Sequence, residues 1–343
     1  MKKGSMAVIA FTPNGKELTA KIEQEMNGEW EITAVFRPSS FGTWLKEQFH
    51  CFDAFVFIGA MGIMVRALSG ALESKLTDPA VVVLDEKGQF VISVLSGHLG
   101  GANVLTKTLA ERLKATAVLT TASDVNGKLA IDVFAQKNGL IISSMEQAKR
   151  CAACIVAAEP VSFACSRQIK EKIPSELSAS SETSKFHVIV SPYVQEESEE
   201  LLHLIPKAFI LGIGCKKGTS AQRIEQRVLE ELDKKKITLQ SIRGIASINL
   251  KKEEAGLLTF AKKEQIPLHF YSADQLKCLE GNFSASAFVS SVTGVENVCE
   301  RAAWMLAKAE GSSSLEKSRI LPKSGKDGVT VSIMEIDWRV SFE

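Results

Sequence analysis

Short apolar runs alternate with amphipathic segments from the beginning of the chain. Met6–Phe11, Ala54–Ile58, Val81–Leu84, Phe90–Leu95 and Ala117–Thr120 are rich in Val, Ile and Phe and predict buried strands. Lys16–Met26, Ile63–Leu68 and Asn103–Leu113 read as helices, and in the last of these Leu105, Leu109 and Leu113 share one face. Strands and helices in alternation predict an α/β layer structure with a mostly parallel sheet.

The pattern breaks at Pro174–Lys185, a serine-rich stretch almost without large apolar residues, which reads as a loop. A strand-like His187–Val190, an acidic Glu196–Glu200 and the segment Leu201–Pro206 follow. A second α/β series begins at Ala208, with strand Phe209–Ile213, helices Ser220–Leu232 and Glu254–Glu264, and strand Leu268–Tyr271. The next helix is entered at Ser272 through a capping box closed by Gln275. Serine-rich Gly311–Ser314 then precedes a hairpin expected over Ile320–Val340. At 343 residues the chain exceeds one hydrophobic core. Two α/β domains with mostly parallel sheets are expected, the second smaller: 1–205, with a middle segment over about 130–205, and 207–343.

Charge narrows the partners. With 41 basic and 40 acidic residues the chain lacks the excess expected of a nucleic-acid or membrane-surface binder, although a local basic cleft for a small anion stays open. No apolar run approaches the roughly 20 residues that span a bilayer. The basic start is followed by an apolar segment too short for a secretory signal, which meets Pro13, so a cytoplasmic location is expected. Seven cysteines, an odd number scattered along the chain, suit reduced thiols. Cys151-Ala-Ala-Cys154 has metal or redox spacing, but no second pair or nearby histidine accompanies it. Small packing residues at a helix-to-strand junction are the expectation there.

Candidate chemistry gathers in four strand-to-helix turns: Ile58–Gly62, Ser96–Gly101, Thr121–Gly127 and Gly212–Ser220. In open α/β sheets such turns line the crevice at the carboxyl ends of strands. Their glycines bare backbone N–H groups beside a helix start, which makes each turn a candidate anion cradle. Nucleotide motifs fail. Gly218 runs into Thr219 with Lys216 and Lys217 before it, which is not a phosphate-binding loop, and Gly97–Gly101 lacks the dinucleotide spacing. His98 reads either as a residue suited to a left-handed or locally bonded turn, or as a general base facing N–H donors. Ser96 stands too near it in sequence to form a nucleophile pair.

Taken together, "FVFIGAMGIMVRAL", "SVLSGHLGGAN", "TTASDVNGKLAIDVFAQKNGL" and "LGIGCKKGTSAQRIEQRVLEEL" resemble the CbiG family of cobalamin-biosynthesis proteins. The likeness is strong over about residues 50–142 and 208–335. It implies cobalt-precorrin-5A hydrolase activity: water opens the ring-A δ-lactone of a cobalt tetrapyrrole and acetaldehyde leaves, giving cobalt-precorrin-5B. It implies no cofactor of the protein's own, since cobalt is carried by the anionic substrate. Neighbouring pathway enzymes and a second copy of the chain stay open as partners, and a non-catalytic corrinoid carrier is the rival function.

Under that resemblance His98 and Asp124 are the candidate catalytic pair, with the Gly97, Gly100 and Gly101 amides as an oxyanion site. Substrate contacts are assigned to Gly59, Gly62, Arg66, Ser96, Asn103 and Lys128 in the first half. Gly214, Lys216, Lys217, Gly218, Thr219 and Ser220 are their counterparts in the second. Met61 stands where the family usually has threonine, so a hydroxyl is missing from the first loop. Cys215 reads as a small residue in a tight turn or as a thiolate ligand to the substrate's cobalt.

Overall fold

The computed structural model describes residues 3–342 other than 75, 76, 99, 170, 180 and 181, and the backbone alone of 122, 123, 287 and 288. The first part of the chain runs β1 (Gly4–Ala10), α1 (Pro13–Glu25), β2 (Trp30–Phe36), α2 (Phe41–Gln48), β3 (Ala54–Ile58), α3 (Met61–Leu68) and β4 (Ala80–Leu84). It continues with β5 (Phe90–Leu95), α4 (Ala102–Leu113), β6 (Thr116–Val118), α5 (Ala122–Val125) and α6 (Ile131–Lys137).

The six strands form one sheet in the order β2-β1-β3-β4-β5-β6. Alternation along them separates two cores. Val8, Val56, Ile58, Val82 and Leu84 face Ile22 and Met26 at α1 and Leu105, Leu109 and Leu113 on α4. Ile9, Phe55, Phe57, Val81 and Val83 face Leu45 and Phe49 at α2 and Met64 and Leu68 on α3. All residues of β3 and β4 are buried, as befits central strands covered on both faces. The leucine stripe expected on α4 is therefore the stripe that packs. Strand β2 and helix α2 were not anticipated: β2 lies at the sheet edge with its residues half-buried or exposed, and α2 is eight residues long with a single buried residue, Leu45.

One reversal matters for function. Neighbours β2, β1, β3 and β4 pair in parallel, but β4 and β5 are antiparallel, and β6 pairs in parallel with β5. Asp85 fixes the reversing turn by accepting from the Lys87 amide at 2.8 Å and the Phe90 amide at 2.6 Å. The carboxyl end of β5 thus lies beside the start of β4, with Leu95 opposite Val81.

Two more sheets follow. The middle one contains β7 (Ile141–Ile142), β8 (Val161–Cys165), β9 (Leu177–Ser178), β10 (Phe186–Val190) and β11 (Leu201–Ile205), with α7 (Met145–Val156) after β7. Its order is β7-β11-β10-β8-β9, parallel apart from β7 against β11. The expected loop Pro174–Lys185 holds the short β9, and its residues 180 and 181 lie outside the described residues. Cys151 and Cys154 fall within α7 rather than at a helix-to-strand junction. Burial, reinforced by the neighbouring Cys154, pushes the Cys151 thiol up to about 12, as expected of a packing residue.

The last series is β12 (Phe209–Cys215), α8 (Ala221–Lys234), β13 (Ile242–Ile248), α9 (Ala255–Lys263), β14 (Leu268–Tyr271), α10 (Ala273–Lys277) and α11 (Ala287–Thr293). It ends with α12 (Val298–Ala309), α13 (Leu315–Ser318), β15 (Arg319–Lys326) and β16 (Val329–Glu335). Its sheet order is β14-β13-β12-β16-β15, with the expected terminal hairpin supplying the antiparallel edge. The capping box at Ser272 is present, each partner accepting from the other's amide. By packing, the chain divides into one compact unit of 1–134 with 155–158 and another of 135–154 with 159–343. The boundary expected near residue 206 falls between the second and third sheets, both within the latter unit. No helix among the described residues is long and apolar enough to cross a membrane.

Candidate functional site

At the carboxyl end of β5 the chain turns through Ser96, whose φ of 55° is left-handed. Ser96, not His98, is therefore the residue that accepts the left-handed conformation. The turn closes on itself before α4: the amides of Gly101, Ala102 and Asn103 donate to the carbonyls of His98, Ser96 and Gly97 at 3.0, 3.1 and 2.9 Å. The Gly101 amide, expected in an oxyanion site, is thus engaged by the turn. The glycines make room for close approach. A Cβ on Gly97 would come within 2.7 Å of Asn103 Oδ1, and one on Gly100 would overlap the Ser96 Cβ.

The turn delivers His98 into a polar cluster built from four elements. His98 Nδ1 lies 3.0 Å from Asp132 Oδ2, in the first turn of α6, and Nε2 lies 3.3 Å from Asp124 Oδ2, on α5. From α4, Asn103 Nδ2 donates to Asp124 Oδ2 at 2.7 Å and to Thr121 Oγ1 at 3.0 Å, while Lys107 Nζ donates to Asp124 Oδ1 at 2.8 Å. Ser93 on β5 donates to Asn103 Oδ1 at 2.6 Å. The His98, Asp124 and Asp132 side chains are 18%, 16% and 26% exposed, which leaves them screened yet reachable.

The electrostatics follow. The Asp132 hydrogen bond, opposed by burial and helped by both carboxylate charges, raises the His98 pKa above its ordinary 6.5. Burial pushes the two carboxyls upward but is outweighed. Lys107, Asn103 and His98 hold Asp124 below its ordinary value, and His98 with the Val133 amide does the same for Asp132. The two carboxylates favour the protonated ring, which weakens His98 as the general base expected from its sequence context and suits it better to donate a proton.

The structure brings His98, Asp124, Ser96, Gly97, Gly100, Gly101 and Asn103 to one edge of the first sheet. Asn103, expected to touch substrate, is 4% exposed and is spent on internal partners. Gly59 and Gly62 are elsewhere. They follow β3, which runs opposite to β5, so their loop sits at the far edge, roughly one strand length away. The single crevice expected for these loops is thereby divided by the β4–β5 reversal. Met61 and Arg66 are exposed on α3, and Lys128 is half-buried after Gly127.

Gly214, Cys215, Lys216, Lys217, Gly218, Thr219 and Ser220 belong to the other unit, around the end of β12. There the Gly218 amide donates to Glu254 Oε1 at 2.7 Å, Thr219 Oγ1 donates to the Lys216 carbonyl at 2.7 Å, and Ser220 caps α8. The chain's own carboxylate thus occupies this cradle. Burial raises the Cys215 pKa rather than lowering it, against the thiolate alternative, because the nearby Lys251 only partly opposes desolvation. A cleft of about 560 Å³ in the same unit is lined by Glu196, Glu197 and Glu199 among serines and glutamines. Three carboxylates there would repel a polycarboxylate ligand. Among the described residues no group of three or more His, Cys, Asp or Glu side chains is arranged so that it could hold a metal ion.

Asp132, Lys107, Thr121 and Ser93 were missed from sequence. Two signals were available: Lys107 lies four residues after Asn103 and so on the same helix face, and Asp132 is the lone charge in Leu129–Ala135.

Known proteins share this sequence along its length. The chain matches the family models for the cobalamin synthesis G N-terminal region over residues 43–124, the cobalamin biosynthesis central region over 129–206 and the cobalamin synthesis G C-terminus over 209–334. It is 30% identical to a cobalt-precorrin-5A hydrolase of Priestia megaterium over 98% of this chain and 96% of that protein. A cobalt-precorrin-5A hydrolase of Salmonella typhimurium is 31% identical over 90% of this chain and 94% of its own. A crystal structure of a proposed cobalamin biosynthesis protein G homologue from Sulfolobus solfataricus aligns with a TM-score of 0.40 at 20% identity, covering 97% of each chain. With its N-terminal, central and C-terminal regions all matched in order, the chain belongs to the cobalamin synthesis G (CbiG) family.

Proposed function

We propose that the chain is a cobalt-precorrin-5A hydrolase of anaerobic cobalamin biosynthesis, working in the cytoplasm and carrying out its chemistry at the His98–Asp124 cluster. Curated relatives of that name, about 30% identical over nearly the whole chain, support the activity. The observation that carries the site is a histidine held between two carboxylates at the carboxyl end of a strand, where ligands of open α/β sheets bind.

The reaction needs proton transfer at two points. Water adds to the lactone carbonyl, the carbonyl–alkoxy bond breaks, and a carboxyl and a hydroxyl result. Loss of the hydroxyl proton then forms the C=O of acetaldehyde and breaks the carbon–carbon bond. Its electron pair enters the conjugated macrocycle, which takes up a proton. No step consumes a nucleotide or a redox equivalent, and cobalt stays with the substrate. Lys128, which follows the turn that carries Asp124, takes part in none of the ion pairs found among the described residues, which suits it to one of the substrate's acetate or propionate groups.

Incubating purified protein with cobalt-precorrin-5A, without nucleotide or added metal, should release one acetaldehyde per corrinoid. Corrinoid recovered tightly bound with its lactone intact would instead identify a carrier.

A further inference from the structure

We propose that Asp132 is a positioning residue that keeps the His98 ring doubly protonated, so that His98 Nε2 is the proton donor of lactone opening and Asp124 the acceptor. The inference rests on the hydrolase reading of this site and extends it to a residue outside the expected pair.

Hydrogen-bond chemistry assigns the protons. An ionised carboxylate can only accept, so a ring nitrogen facing one must carry a hydrogen. Both His98 nitrogens face carboxylates, at 3.0 Å from Asp132 and 3.3 Å from Asp124. The two bonds are not equivalent. Asp132 is fixed at the start of α6, its other oxygen accepting from the Val133 amide at 2.9 Å, and it holds Nδ1 by the shorter contact. Asp124 Oδ2 already accepts from Asn103 at 2.7 Å, and its Oδ1 from Lys107 at 2.8 Å. Asp124 therefore stays satisfied when Nε2 turns to another acceptor, whereas Asp132 anchors the opposite side of the ring. Among the described residues, the charged side chains that pair with His98 are Asp132 from α6 and Asp124 from α5, with Lys107 from α4 behind Asp124.

The step balances. Water's oxygen bonds to the lactone carbonyl carbon while one of its protons passes to Asp124. The tetrahedral intermediate collapses, the carbonyl–alkoxy bond breaks, and the alkoxy oxygen takes the Nε2 proton. His98 is left neutral and Asp124 protonated, and transfer of that proton back across the short gap resets the cluster. Throughout, Asp132 keeps Nδ1–H in place and so fixes which nitrogen reacts, a role the geometry gives to no other described residue.

Two measurements test this together. The first is a ¹³C/¹⁵N NMR titration of the His98 ring, which needs neither substrate nor turnover. His98 should titrate above the ordinary value of about 6.5 in the wild-type protein, and about one unit lower in Asp132→Asn. The second is the pH profile of acetaldehyde release. Asp132→Asn should move the alkaline limb down by about one unit, so that kcat falls about tenfold near pH 8, recovers toward pH 6, and leaves KM unchanged. Asp132→Glu should restore much of the limb. A wild-type His98 titrating at or below 6.5, or an Asp132→Asn enzyme with the wild-type limb, overturns the proposal. Should Asp132→Asn fail to fold, the wild-type titration still decides. Absence of acetaldehyde from the wild-type protein would refute the hydrolase reading alone, because the titration reports on Asp132 independently.

Discussion

His98 shows how much a single side chain depends on what surrounds it. A turn histidine with free nitrogens would titrate near 6.5 and could serve as a base. Here two carboxylates raise its pKa and favour the charged ring. His98→Asn should keep the fold and slow acetaldehyde release by roughly 10²–10⁴-fold, the usual worth of general acid–base catalysis. It should also abolish the alkaline limb of the pH profile. Stability should respond with a definite sign. His98 has a raised folded pKa, so its contribution is fully present below about pH 6.5 and is lost as pH rises through the higher folded value. Asp124 and Asp132 have lowered pKa values, so theirs is present above about pH 4 and is lost as pH falls. Denaturant unfolding should therefore show the wild type's advantage over His98→Asn greatest between about pH 4 and 6.5 and shrinking above it. An advantage that grew toward pH 8 would contradict this. His98 and Asp124 were legible in the sequence because glycine-rich turns at strand ends draw attention. Asp132 was marked only as a lone charge in an apolar stretch, and nothing in sequence says that a charge 34 positions on returns to the same ring.

At the scale of elements, α8 illustrates a device that amphipathic patterning could not reveal. Its apolar positions Ile224, Val228 and Leu232 are buried as the spacing implies, but so are Arg227 and Glu231, at 5% and 3% exposure. These two form an ion pair one helical turn apart, and both bond Ser324 on β15, at 2.7 Å from Arg227 and 3.2 Å to Glu231. Arg227→Met would leave the buried Glu231 carboxylate with Lys234 and Ser324 as its remaining partners. The variant should lose stability in denaturant unfolding, but less than the roughly 3–5 kcal/mol of a fully uncompensated buried charge, because Lys234 still pairs with Glu231. Replacing both residues by methionine should restore most of that stability, since the buried carboxylate that lost Arg227 is then gone too. Similar stability of the single and double variants would show that the pair is not what holds α8 to the hairpin. Sequence patterning found α1, α4 and α8 because each presents an apolar stripe to a sheet. It passed over β2, whose residues are half-buried or exposed, and α12, where alanines and a cysteine form a close-packing face with little apolar contrast.

Across the whole molecule, the direction of one strand pair sorts the glycine loops into working and remote. Gly100 lies in the turn that presents His98, while Gly62 lies at the far edge of the same sheet with nothing within 4 Å of an added Cβ. Gly100→Ala should lower the melting temperature and the rate together, because overlap with Ser96 forces the turn to shift at a cost of about 1–3 kcal/mol. Gly62→Ala, in a helix, should leave the rate within about twofold and raise stability by about 0.4–1 kcal/mol. Loss of turnover in folded Gly62→Ala would place the first loop at the reaction centre after all.

Sequence alone determined the α/β character, the strand-to-helix turns and the family, because periodicity, glycine placement and long motif blocks are local or linear properties. Tertiary structure decided which turns share an edge, that the Gly218 amide already holds Glu254, that the Cys215 thiol pKa is raised rather than lowered, and that two carboxylates raise the His98 pKa. Each of these depends on pairing direction or on charges brought together from distant positions. A hairpin such as Asp85–Phe90 reverses every loop beyond it without changing the hydrophobic pattern of a single strand, so only the folded sheet carries that information.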